Sequence, residues 1–200
     1  MKILAVETST ELCSVALLSG EDLLVEEVIA ENRHSELLLP MIRRVLGRAD
    51  ARAASMNVFA FGQGPGSFTG IRIACGIVQG LAFGADKPVV PIPSLLALAA
   101  QAGAARVLAA LDARMGEAYL AAYERRGADW ECVIAPSLVD RSLLPHCRRA
   151  SGPRSAAVSI ATRGCARLTP AASARTSRAS CRVRAPWQRS PRSMRHKVAP

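Results

Sequence analysis

A mixed α/β sheet with helices packed against it is the fold class this sequence predicts, and three observations predict it. Lys2–Glu7, Ser14–Leu18 and Leu23–Ala30 are short apolar or alternating runs separated by polar turns, which reads as a β-meander. Later apolar runs alternate with segments of helical period. Between one such pair lies Gly62-Gln-Gly-Pro-Gly-Ser-Phe-Thr-Gly-Ile-Arg72, with four glycines and two hydroxyls at a strand-to-helix junction. A turn of that kind leaves free backbone N–H groups, and glycine permits close approach there.

The elements follow in order. Thr8-Ser9-Thr10 leaves the first strand, and Ser19-Gly20-Glu21-Asp22 joins the second to the third. Asn32 or Ser35 is expected to cap a helix running to about Leu46, with Gly47 as its stop. Arg43, Arg44 and Arg48 near its end suit the helix dipole. Val58–Phe61 is the fourth strand, and Ser67 or Thr69 caps a helix over Gly70–Phe83. Val89–Ile92, between Pro88 and Pro93, is the fifth strand, and Ser94 is expected to cap a third helix to about Gln101. Val107–Leu111 and Ala118–Tyr123, joined through Asp112–Glu117, begin a second sheet.

Two helices carry more apolar surface than one core needs. Leu38, Met41, Ile42 and Val45 fill one face of the first, while Leu39 and Leu46 extend onto another. In the second helix Ile73 and Ile77 flank Gly76 and Gly80, whose spacing lets another backbone come close, within this chain or from a partner. These ten residues form the candidate partner surface. Gly64, Pro65, Gly66, Ser67, Thr69 and Gly70 read as a structural corner. They lack the Lys-Ser/Thr pair of a P-loop and do not form a Gly-x-Gly-x-x-Gly fingerprint.

Charge divides the chain of 200 residues. The first 146 carry thirteen Lys and Arg against sixteen Asp and Glu, a net of −3, while the remaining 54 carry thirteen basic residues and no acid. That segment is rich in Arg, Ala, Ser and Pro, without an apolar period, and is expected to be disordered or loosely collapsed. It reads either as a nucleic-acid-binding arm or as out-of-frame translation of a GC-rich gene. Scattered arginines, three cysteines and Trp187 as the lone aromatic favour the latter. Cys13, Cys75 and Cys132 form no CxxC pair and are expected to be reduced. No targeting signal is legible and no run approaches a membrane span, so a cytoplasmic location is expected.

At Gly64-Pro-Gly-Ser-Phe-Thr-Gly-Ile-Arg72 the sequence resembles the TsaB family of the bacterial tRNA threonylcarbamoyladenosine machinery. Ala5-Val-Glu-Thr-Ser-Thr10, Ser14-Val-Ala-Leu17, His34-Ser-Glu-Leu-Leu-Leu-Pro40, Pro93-Ser-Leu95 and Asp112-Ala-Arg-Met-Gly-Glu117 carry the same resemblance, over about residues 1–140. It implies an actin-like ATPase fold of two ribonuclease-H-like halves, here 1–101 and the start of a second at 102–146. The first half is expected to be intact, and the second to be truncated or scrambled by the segment 147–200. It also implies a non-catalytic subunit that supports the catalytic TsaD through a bundle of the helices at 35–46 and 70–83. A TsaE-type ATPase would join the complex, tRNA would be met indirectly, and a second copy of the chain is an alternative partner. No cofactor, metal ligand or catalytic residue is expected. The metal-binding His-x-x-x-His pair of the catalytic relative falls here on Ser94 and Leu98, and leucine cannot ligate.

Two rival functions remain on the residues alone. One is a metal- or ATP-dependent enzyme of the same superfamily; the other is an RNA-binding protein acting through the basic tail. Glu7 and Asp112 stand at the ends of equivalent strands and could pair as carboxylates, though capping or salt bridging suits them better. Ser67 has no histidine placed to serve it, and Cys75 lies on a buried helical stripe.

Overall fold

The computed structural model describes residues 1–143 and 157–161. The first sheet has the order β3-β2-β1-β4-β5, from Lys2–Glu7 (β1), Leu12–Ser19 (β2), Asp22–Ile29 (β3), Val58–Gly62 (β4) and Val89–Ile92 (β5). β1, β2 and β3 pair antiparallel, and β4 and β5 add parallel to β1. Helices His34–Arg48 (α1) and Phe68–Ala85 (α2) supply the parallel crossovers. A second sheet, β8-β7-β6-β9, repeats the first four positions of that order. It consists of Arg106–Arg114 (β6), Glu117–Arg126 (β7), Asp129–Asp140 (β8) and Ala157–Ala161 (β9).

Strand alternation sends β1 in two directions. Leu4 and Val6 enter a core with Leu38, Met41, Ile42 and Val45 of α1 and Ala74, Val78 and Ala82 of α2. Burying each large side chain of that stripe contributes about 1.5–3 kcal/mol. Ile3 and Ala5 face the other way, toward Ala60, Ile92 and Ala97. Ala97 belongs to Ser94–Gln101 (α3), whose Leu95, Leu98 and Ala99 pack on Val107, Ala109, Leu111, Ala121 and Tyr123 of the second sheet. The third helix, grouped with residues 1–101 on sequence, is therefore the filling between the sheets.

Several local expectations are corrected. Neither Asn32 nor Ser35 caps α1; its N-cap is Arg33, without a side-chain bond, and Asn32 is left-handed at φ +73°. His34 anchors that end instead, its Nε2 lying 2.9 Å from the Thr10 carbonyl. Gly47 does not stop α1, which runs on to Arg48, since glycine in a helical conformation merely lowers propensity. Ser94 is the first residue of α3, not its cap, because its hydroxyl is taken by Glu7. β8 was not foreseen: bulges between Leu120 and Tyr123 break its pairing with β7, so no single period runs along it. By length and composition α2 does match a membrane span, contrary to the sequence reading; only Gly70, Ala74, Val78 and Ala82 of its 18 residues are buried. Of the segment 147–200, expected to be disordered or loosely collapsed, only Ala157–Ala161 is among the described residues. These residues pair parallel with Val107–Leu111, whose free edge supplies the hydrogen bonds; the rest of that expectation lies outside the described residues.

The glycine corner makes a sharp test of this packing. A Cβ on Gly70 would overlap the Thr8 carbonyl, while one on Gly76 would meet nothing within 4 Å. Gly70→Ala should cost about 1–3 kcal/mol in urea unfolding. Gly76→Ala should instead stabilise the chain by about 0.5–1 kcal/mol, the helix-interior gain over glycine.

Candidate functional site

The end of β1 and the glycine corner are stitched together. The Ser67 amide donates to the Ser9 carbonyl at 2.7 Å, and Thr8 Oγ1 donates to the Gly70 carbonyl at 2.6 Å. Ser67 caps α2, accepting from the Gly70 amide at 3.3 Å, as the sequence suggested; Thr69 is exposed beside it. Gly64 and Gly66 take positive φ on either side of Pro65, and Gly64–Pro65 is cis. Beneath this corner the Glu7 carboxyl is completely buried, against the Cα of Gly62.

Glu7 is held by hydroxyls and amides. Oε1 accepts from the Ser9 amide at 2.7 Å, and Oε2 accepts from Ser94 Oγ at 3.0 Å. The Ser9 and Ser94 hydroxyls are 3.2 Å apart. Burial pushes the Glu7 carboxyl above its ordinary range, and these hydrogen bonds offset only part of that. Sequence reasoning missed Ser9 and Ser94 as its partners. The hydroxyl-rich turn and the serine after Pro93 were visible, but nothing local ties positions 87 apart.

A cleft of about 350 Å3 opens above, between Ser9, Thr10, Ser67 and Thr69 on one side and Asp112 and Arg114 on the other. A neighbouring cavity of about 590 Å3 extends it toward Glu31, His34 and Ile73. Asp112 does not join Glu7. It accepts from the Arg114 amide at 2.8 Å and pairs with Arg141 Nη1 at 3.4 Å. The two hairpins facing the cleft are poor phosphate cradles. Thr8 and Ser9 spend their hydroxyls on Gly70 and Ser94, while Arg114 and Met115 occupy the left-handed positions that glycine would take. The residues present therefore do not fit a nucleotide held in glycine turns, nor a metal at Ser94 and Leu98, since Leu98 is in the second core.

The helical surface is the other feature. Leu38, Met41, Ile42 and Val45 are buried in the first core, whereas Leu39 is 41 % exposed and Leu46 half-buried. Ile73 and Ile77 are half-buried at the margin of the first core, beside the exposed strip of α2. Gly76 and Gly80 are exposed, with nothing of this chain within 4 Å of an added Cβ. Their spacing therefore serves no close packing within the described residues. Phe83, on the same helix, is 90 % exposed, and Arg72 lies over the Phe68 ring at 3.8 Å.

Residues 27–160 match the family described as TsaD, tRNA N6-adenosine threonylcarbamoyltransferase. The tRNA threonylcarbamoyladenosine biosynthesis protein TsaB of Escherichia coli (strain K12) is 42 % identical over 149 residues, covering 70 % of this chain and 64 % of that protein. Its namesake in Haemophilus influenzae is 49 % identical over 124 residues, 60 % of this chain and 52 % of that protein. The solved structure of YeaZ from Pseudomonas aeruginosa is 41 % identical, with a TM-score of 0.66 over 70 % of this chain and 67 % of that one. The chain belongs to this family, in its TsaB group. Its fold is accordingly the actin-like, ribonuclease-H-like one, and the repeated strand order of the two sheets agrees with that. It spans 52–64 % of the length of the two curated relatives named.

His34 gives this region a pH dependence. Burial lowers its pKa from the ordinary 6.5, and the bond to the Thr10 carbonyl opposes this only partly. The unfolded chain then binds the proton more readily, so this contribution is present above about pH 6.5 and is lost as pH falls through the folded-state value. Urea midpoints measured at stepped pH should fall more steeply with acid for the natural chain than for His34→Gln. Parallel curves would refute it.

Proposed function

We propose that this chain is a non-catalytic, cytoplasmic subunit for tRNA N6-threonylcarbamoyladenosine formation at position 37, docking on the catalytic TsaD subunit through α1 and α2. The observation that carries this reading is α2: eighteen residues of largely apolar helix with four buried, beside the surplus apolar positions of α1. A helix of that composition loses free energy to water unless something covers it. Gly76 and Gly80 make its outer side flat enough for a partner helix to approach closely, with Ile73, Ile77, Leu39 and Leu46 as the flanking contacts.

The absence of chemistry in this subunit is inferred from the cleft. Glu7 and Asp112 each have their own structural partners, and the hairpins present side chains where a phosphate would need open backbone. In this reading a TsaE-type ATPase joins the complex, and tRNA is met through the catalytic partner. A second copy of the chain competes for the same helical face.

Substitution at the flat strip tests the docking. Gly76→Leu adds bulk where the chain itself offers no obstacle, so the fold should persist by circular dichroism while affinity for purified TsaD drops at least about tenfold, a loss of about 1.4 kcal/mol. Unchanged TsaD binding by a folded Gly76→Leu chain, or threonylcarbamoyl transfer by the chain alone, would reject the proposal.

A further inference from the structure

We propose that Glu7 is an interlobe latch: its buried carboxyl, clamped by Ser9 and Ser94, fixes how α3 and the second sheet sit on the first sheet and so sets the width of the cleft between them. The face of the first sheet that meets α3 is made of Ala5 and Ala60 with Ile3 and Ile92 at its margin, and α3 answers with Ala97. Methyl groups interdigitate shallowly and without direction, so this contact alone leaves α3 free to slide or tilt. Hydrogen bonds are directional, and two converge on one residue at the start of α3. Ser94 Oγ donates to Glu7 Oε2, and the Ser94 amide donates to the Gly64 carbonyl at 2.8 Å.

The remainder of α3 moves with the second sheet, since Leu95, Leu98 and Ala99 are packed into its core. Ser94 is thus the pivot of one body, and Glu7 the fixed point of the other. The same carboxyl holds the Ser9 amide, and Ser9 lines the cleft. Across the opening stand Leu111, Asp112 and Arg114, which belong to the second sheet. A change in the Glu7–Ser94 distance is therefore a change in the gap between Ser9 and Arg114. The latch is also separate from the proposed docking surface, because α1 and α2 cover the opposite face of the first sheet. Its test does not depend on any partner.

Hydrogen exchange of the full chain, read by peptide mass spectrometry, separates a latch from a general prop. Glu7→Ala should speed exchange of the amides of α3 and of Val107–Leu111 about tenfold or more, the scale expected for losing a buried hydrogen-bonded group. The amides of Leu4–Val6 and Phe59–Phe61 should keep their rates. Glu7→Gln accepts from Ser9 and bonds Ser94 in the same shape, and should restore the natural pattern. Ser94→Ala cuts the latch from the other side with the carboxyl left in place, and reports the same selective effect even where Glu7→Ala does not fold. Equal acceleration in both sheets, no acceleration in Ser94→Ala, or a Glu7→Gln chain as fast as Glu7→Ala would overturn the proposal.

Discussion

Everything in the first half hangs on how closely the end of β1 approaches the glycine corner. Thr8 places its carbonyl on Gly70, Ser9 receives the Ser67 amide, and Glu7 lies under Gly62. A Cβ at 70 would overlap the Thr8 carbonyl and one at 66 the Ser9 carbonyl, so glycine there is a steric condition of the fold, while a Cβ at 62 would displace the buried Glu7 carboxyl. That approach fixes the first turn of α2, and with it the rotation that sends Ala74, Val78 and Ala82 inward, leaves Gly76 and Gly80 outward and sets Ile73 and Ile77 at the margin between. The buried stripe and the outer strip are two sides of one constraint.

The same constraint explains a buried acid without a cation. Glu7 stands on β1 one residue beyond the apolar run, and strand alternation turns it toward α3. A carboxyl in that position is costly to charge, and its partners are an amide and a hydroxyl. Groups of that kind orient a neighbour without demanding a counter-ion. The arrangement spends both serines on structure, which is also why the hairpin has no free hydroxyl at Ser9 to offer a phosphate.

What the sequence made legible was governed by short-range chemistry. The β-meander, the Ser67 cap and the buried stripe Leu38, Met41, Ile42 and Val45 follow from period and turn residues within a few positions. The misreadings were each decided from afar. Ser94 looked like a helix cap until Glu7, 87 positions earlier, claimed its hydroxyl. Asn32 and Ser35 looked like caps, but Asn32 takes a left-handed turn and the N-cap falls on Arg33, with His34 tying that end to Thr10. β8 escaped notice because bulges alternate its sides irregularly against β7, and Ala157–Ala161 because a short strand surrounded by arginines gains its identity only from the edge of β6. In the candidate site, the apolar excess of the two helices was visible from composition, whereas the closed network around Glu7 was not.

The position of α3 between two sheets has a consequence for the growing polypeptide. Eight residues make barely two turns, too few to persist as an isolated helix in water. Its supports arrive from both directions along the chain: Ala5 and Ala60 long before it, Ala121 and Tyr123 well after. Without residues 107–123 the α1–α2 side of the first sheet still has its cover, whereas the side that carries Ala5, Ala60 and Glu7 lacks the groups that seat α3 upon it. Synthesis from the N-terminus thus supplies the earliest lobe before its roof, because α3 is held down by strands β6 and β7 that follow it.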